Sequence, residues 1–126
     1  MRANENPGFP CRVSLADAEI GEEVLLLPFM HHDVDSPYRA SGPIFVHVDA
    51  ATARPEIGEV PAMIRSRLLS VRGYDAGAMM IFAAVAEGRD LEAHFERAFS
   101  DPRVEYLHLH NARPGCYSCR VDRARD

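Results

Sequence analysis

The sequence predicts an α+β domain, a mainly antiparallel sheet of about six strands with one or two helices packed on one face. Three observations carry that expectation. Short apolar runs recur between turn-forming residues, only one segment has a clean helical stripe, and strands and helices do not alternate as a parallel sheet would require. At 126 residues the chain is expected to form one domain spanning 1–126, with residues 1–9 as an N-terminal arm.

The arm runs into a Pro/Gly-rich stretch, Pro7 to Pro10. Cys11, Val13 and Leu15 then alternate with Arg12 and Ser14, the period of a half-buried strand. Turn residues fill 17–21. Residues 24–30 (VLLLPFM) are too short for a typical helix and read as a buried strand, with Pro28 marking a bulge or a sheet edge. The polar segment 31–42 (HHDVDSPYRASG) reads as a loop. In 43–49, Ile44, Val46 and Val48 fall on one strand face and Phe45, His47 and Asp49 on the other. Pro55 and Gly58 mark the next loop. Val60, Met63, Ile64, Leu68 and Val71 have helical spacing behind Pro61, although 68–74 suits a strand equally well. Residues 79–86 read as a strand after the break at Gly77. Asp90 is placed to cap the clearest helix, whose stripe is Leu91, Phe95, Ala98 and Phe99, and Asp101-Pro102 ends it. Residues 104–110 and 116–122 read as strands joined by 111–115.

Charge and composition exclude several functions. The net charge is -5, which disfavours nucleic acid, since a phosphate grip needs clustered positive charge. All 14 basic residues are Arg. Without Lys there is no Schiff-base side chain, no Walker-type phosphate loop and no Ser-Lys dyad. No stretch approaches the roughly 20 apolar residues that span a bilayer, and the first ten residues have no apolar signal-peptide core. Three cysteines (Cys11, Cys116, Cys119) with no sign of secretion suggest reduced thiols and a cytoplasmic location.

The last two strands hold the best candidate site. Period two puts Leu107 and Leu109 on one face and Tyr106, His108 and His110 on the other. A five-residue loop would set His110 opposite Cys116, His108 opposite Ser118 and Tyr106 opposite Arg120, with Leu107 against Cys119 and Leu109 against Tyr117. Three chemistries compete on that face. His110 and Cys116 are candidates for a thiol nucleophile and its base. His108 and His110, at i and i+2, are candidate metal ligands, with Cys116 as a third and His31, His32, Asp33 or Asp35 joining if their loop folds over. The C-x-x-C of Cys116 and Cys119 is the weakest. In an extended strand the two thiols point to opposite faces, roughly 10 Å apart at about 3.3 Å per residue. The plainer reading is a half-exposed pair of histidines and a small buried thiol with no chemistry.

Elsewhere, Arg39 and Ser41 sit in a Gly-flanked loop suited to an anion, His94 flanks its helix stripe as a surface residue, and Met79-Met80 reads as core. The expected function is small-ligand or anion binding by Tyr106, His108, His110, Cys116, Ser118, Arg120 and Arg39. The alternatives are a non-catalytic interaction module, which would use a sheet edge or that same face to form a homodimer, and a metal-binding or Cys-His thiol enzyme. No cofactor is required by the sequence.

Three runs carry a family resemblance: PGFPCRVSL at 7–15, SPYRASGPIFV at 36–46 and YLHLHNARPGCYSCRVDR at 106–123. Together they resemble a bacterial domain-of-unknown-function family, number 1203, over nearly the whole chain from Pro7. The resemblance implies a small bacterial protein with no established activity, and it brings no catalytic residue with it. It also implies a longer segment ahead of the PGFPC run than the six residues present here.

Overall fold

The computed structural model describes residues 1–3, 6, 10–11, 14–48, 53, 55–56 and 58–123. Among these, eight strands form two sheets of four, where the sequence suggested one sheet of about six. The expectations placed on Pro7, Arg12, Val13 and Asp49 lie outside the described residues.

The first sheet contains β1 (Pro10–Cys11), β2 (Ala16–Asp17), β3 (Val24–His32) and β4 (Ala40–His47), in the order β2-β1-β4-β3. Between β1 and β2, Leu15 takes a left-handed backbone (φ 51°). The contact of β1 with β4 is parallel and the other pairings are antiparallel. β3 is longer than its apolar run and carries His31 and His32, which sequence reading left in a loop. It is an edge strand, so it exposes Leu25, Leu26, Phe29 and Met30 instead of burying them. Pro28, which has no N–H to donate, is tolerated at such an edge, and the β3–β4 register shifts between Phe29 and His32.

The helical spacing from Val60 to Val71 resolves into two elements. α1 (Ala62–Arg65) is a single short turn of helix, and β5 (Leu68–Tyr74) follows it. β6 (Met80–Glu87) returns antiparallel to β5 and leaves Met79 exposed just before it, outside the core expected of it. After a 3-10 turn at Gly88–Asp90 comes α2 (Leu91–Phe99). Asp90 stands at its N-cap but makes no side-chain cap bond. β7 (Tyr106–Asn111) and β8 (Tyr117–Asp122) complete the second sheet, in the order β6-β5-β7-β8, all antiparallel.

One face of this second sheet packs on the helices. Leu69, Val71, Leu107 and Leu109 meet Ile64, Leu91, Ala98 and Val104 there, and every one of them is buried. Gly73 is required at the crossing of β5 with β7, since a Cβ there would come within 2.9 Å of Phe82 Cβ and 3.2 Å of Leu107 Cδ2. Beyond the end of β8, Arg123 donates to the carbonyls of Val104, Phe99 and Asp101 at 2.9, 3.0 and 2.8 Å, with its guanidinium 4.7 Å from the Phe99 ring. The sheet's other face is covered by β3. Its partners are rings, and they make the site. A half-buried Arg67–Asp17 ion pair also ties the approach to β5 to β2 of the first sheet.

Candidate functional site

Period two puts Tyr106, His108 and His110 on the face of β7 opposite Leu107 and Leu109, as the sequence predicts. Their environment differs from the prediction. The face is interior, with His108 and His110 each only 2% exposed. β3 supplies the cover. His31 lies 5.1 Å from His110 and 6.2 Å from His108, centroid to centroid, and His32 lies 4.7 Å from His108. Tyr117 stacks on His31 at 4.9 Å with planes 7° apart, and its ring is also 4.9 Å from His108. Tyr74 of β5, cross-strand from Tyr106, stacks on it at 5.3 Å.

Hydrogen bonding divides these histidines into two kinds. His32 is fully engaged. Its Nδ1–H donates to the Tyr38 carbonyl at 2.7 Å and its Nε2 accepts from the Tyr106 hydroxyl at 2.6 Å. That pairing assigns its tautomer and fixes a structural role. His110 donates Nδ1–H to the Gly115 carbonyl at 2.9 Å, which leaves Nε2 as a bare lone pair. His110 Nε2 and His108 Nδ1 are both buried with no hydrogen-bond partner. One ring nitrogen from each of His31, His108 and His110 lies within 4.8 Å of the other two.

Burial dominates the electrostatics. Removal from water holds His108 down at about 3, helped by the positive fields of His32, His110, His31 and Arg120. Burial likewise holds His110 down at about 4, partly offset by its bond to Gly115 and reinforced by Arg72. Both imidazoles are neutral at pH 7. Neutral imidazole is the form that binds a metal, and a second ring nitrogen bonded to a carbonyl, as in His110, is the usual way to orient such a ligand.

Two guanidinium groups flank the cluster. Arg72 on β5 and Arg120 on β8 both pair with His108, so three strands place Arg-His-Arg in one row. Arg120 lies 4.1 Å over the Tyr106 ring and bonds Asp122. Arg72 makes no ion pair with a described carboxylate, and its Nε donates to Ser70 Oγ at 3.1 Å.

The chain matches, over residues 8–123, the family described as Protein of unknown function (DUF1203). It belongs to that family. No curated protein and no solved structure matches it. Every described strand and all three clustered histidines fall inside the DUF1203 span.

The predicted cross-strand pairs of this DUF1203 chain need correction. The hairpin loop is one residue shorter than expected, so His110 opposes Tyr117, and a bulge between Leu109 and His110 adds one more step, so that Leu109 opposes Cys119, His108 opposes Arg120, Leu107 opposes Val121 and Tyr106 opposes Asp122. Cys116 therefore does not stand across from His110. Its carbonyl accepts from the Asn111 N–H at 2.8 Å, one position further along. Ser118 is buried at the bulge. Arg39 is exposed and paired with Asp33 at 3.4 Å, in the loop between β3 and β4. His94 sits on α2 beside Arg97. None of the three cysteines forms a disulfide, and burial pushes the Cys11 thiol up to about 11, far from the range of a nucleophile. Among the described residues no helix is long and apolar enough to cross a membrane.

Sequence reading missed Arg72, Tyr74 and Tyr117 as members of the site, and admitted His31 only as an optional loop ligand. A usable signal was present for His31: the apolar period of 24–30 continues without a breaker into 31–32. Nothing local to Arg72 shows that β5 pairs with β7.

Proposed function

We propose that this chain binds a divalent transition metal, with Zn²⁺ the best fit, on His31, His108 and His110. The observation that carries the reading is the pair of buried, unpartnered nitrogens, His108 Nδ1 and His110 Nε2, in a cluster of three imidazoles. A buried acceptor without a partner costs about 1–3 kcal/mol, and a cation is the partner that relieves two at once. All-imidazole ligation suits Zn²⁺, Cu²⁺ or Ni²⁺ better than the oxygen-loving Ca²⁺ or Mg²⁺. Three neutral ligands leave one tetrahedral position for water or an anion. Arg72, which makes no ion pair with a described carboxylate, favours the anion, whereas the charge of Arg120 is already met by Asp122. The reading thus joins metal and anion binding on one face. A reducing cytoplasm is the compartment it implies, since an odd count of thiols suits that environment.

The test uses protein purified without a His tag, stripped with chelator and titrated with Zn²⁺ by calorimetry, with elemental analysis of the product. Binding of roughly one ion per chain, as a single three-histidine site requires, is the expected result. His108→Ala and His110→Ala should abolish it, while His94→Ala on α2 leaves it intact. Failure of the stripped protein to take up Zn²⁺ would overturn the proposal.

A second reading, self-association, is supported by the four large apolar side chains that β3 exposes on its open edge. Sedimentation of wild type against Leu25→Glu tests it, and a monomer at all concentrations rejects it.

A further inference from the structure

Beside the hairpin loop, and separate from the three histidines, lies a cavity of about 260 Å³. β3 and β4 supply one wall through Leu26, Ile44 and Phe45, α1 contributes Met63, and the hairpin closes it with Asn111 and Cys116. The lining is mostly apolar. One group in it is not satisfied: Asn111 Oδ1 is buried without a hydrogen-bond partner, on a side chain that is 7% exposed. Asn111 ends β7 on the leucine face, and its backbone N–H is already bonded to the Cys116 carbonyl, so the orphan belongs to the side chain alone.

We propose that this cavity is a binding site for a small, neutral, largely apolar molecule carrying one hydroxyl, with the hydroxyl donating to Asn111 Oδ1. Size and chemistry both lead there. A water molecule's share of liquid volume is about 30 Å³, so the space takes on the order of eight non-hydrogen atoms, the bulk of one substituted ring. Carbon against Leu26, Ile44, Phe45 and Met63 gains by leaving water. Among the described residues no cationic or anionic side chain lines the space, which disfavours a charged ligand. The unpartnered polar atom of the lining is Asn111 Oδ1, beside the buried Ser118, and a polar site of this kind discriminates strongly against an analogue that lacks its partner group. The wall shared with the histidine face is Tyr117, which lines the cavity and stacks on His31.

Phenol and toluene, nearly identical in shape and differing in the donor, are the probes. Both are titrated into chelator-stripped and Zn²⁺-loaded protein while backbone amide resonances are followed. Phenol should give saturable shifts at Asn111, Cys116 and Ile44 in both preparations, with toluene at least tenfold weaker. Asn111→Leu should invert the preference. Leu26→Trp, which starts from an exposed position and so tests the cavity without burdening the core, should remove binding of either probe. Phenol should also slow alkylation of Cys116. Toluene binding as tightly as phenol to wild type, unsaturable shifts for both, or shifts that persist in Leu26→Trp would each overturn the proposal, whether or not the protein takes up metal.

Discussion

The two faces of β7 are equally buried and differently built. Leu107 and Leu109 pack on α1, α2 and β5 carbon to carbon, and their burial needs no further partner. Tyr106, His108 and His110 lie as deep, but they bury nitrogens, two of which have no hydrogen bond. Burying a leucine stabilises by about 1.5–3 kcal/mol, whereas burying an unpartnered acceptor opposes folding by a similar amount. One face holds the sheet to its helices. The other opposes folding through its two unpartnered nitrogens, and it is the face on which metal binding is proposed above.

The largest expected effect that separates the faces is on pH dependence. His108 and His110 titrate near 6.5 when unfolded and at about 3 and about 4 when folded. Below pH 6.5 the unfolded chain binds protons that the folded chain refuses, so stability falls with falling pH. The slope is about 1.4 kcal/mol per pH unit for each histidine until its folded value is reached. Metal-free protein should therefore lose on the order of several kcal/mol between pH 7 and pH 4. Urea midpoints across that range check it, and His108→Leu should roughly halve the slope. A flat profile would mean that the imidazoles are not held neutral by burial.

Substitution sharpens the contrast. Leu107→Ala should cost about 2–5 kcal/mol by leaving a cavity on the helix side. His108→Leu, in metal-free protein at pH 7, should be neutral or stabilising by about 1 kcal/mol, since it removes a buried orphan. Equal losses in urea unfolding would show that the two faces do the same work. The smallest effect concerns the thiols. Cys119 opposes Leu109 and packs on the helix-side core, while Cys116 precedes β8 at the cavity wall. Timed alkylation read by mass spectrometry should therefore label Cys116 several-fold faster, and equal rates would argue that the hairpin opens as a whole.

Much of this is legible in the sequence. Alternation at 106–110 gave the correct face for every residue, because Leu107 and Leu109 demand an apolar neighbour and period two leaves the histidines no choice. Helix α2 was legible for the same reason, from its stripe of Leu91, Phe95, Ala98 and Phe99. The cross-strand partners were not. A loop one residue shorter than expected slides Tyr117 into the place expected of Cys116, the bulge at Ser118 shifts the remaining pairs once more, and no local pattern near 116–119 announces either. The two-sheet architecture was equally hidden, since it depends on β3 lying over β7, a contact between residues more than seventy positions apart such as His32 and Tyr106. His31 thus entered the cluster through a long-range packing choice that composition does not encode.

Arg123 gives the site a clock as well as a place. By gathering three carbonyls around the end of α2 it pins one end of the β7–β8 hairpin. The other end is the loop at 111–116, beside His110 and tied to β5 by the Ala112 N–H on the Leu68 carbonyl. On the proposed metal reading, an ion held among the imidazoles would have a residence time that follows the opening of that end. Two proteins of equal affinity, one with this anchor and one without, would differ in how long they keep what they hold.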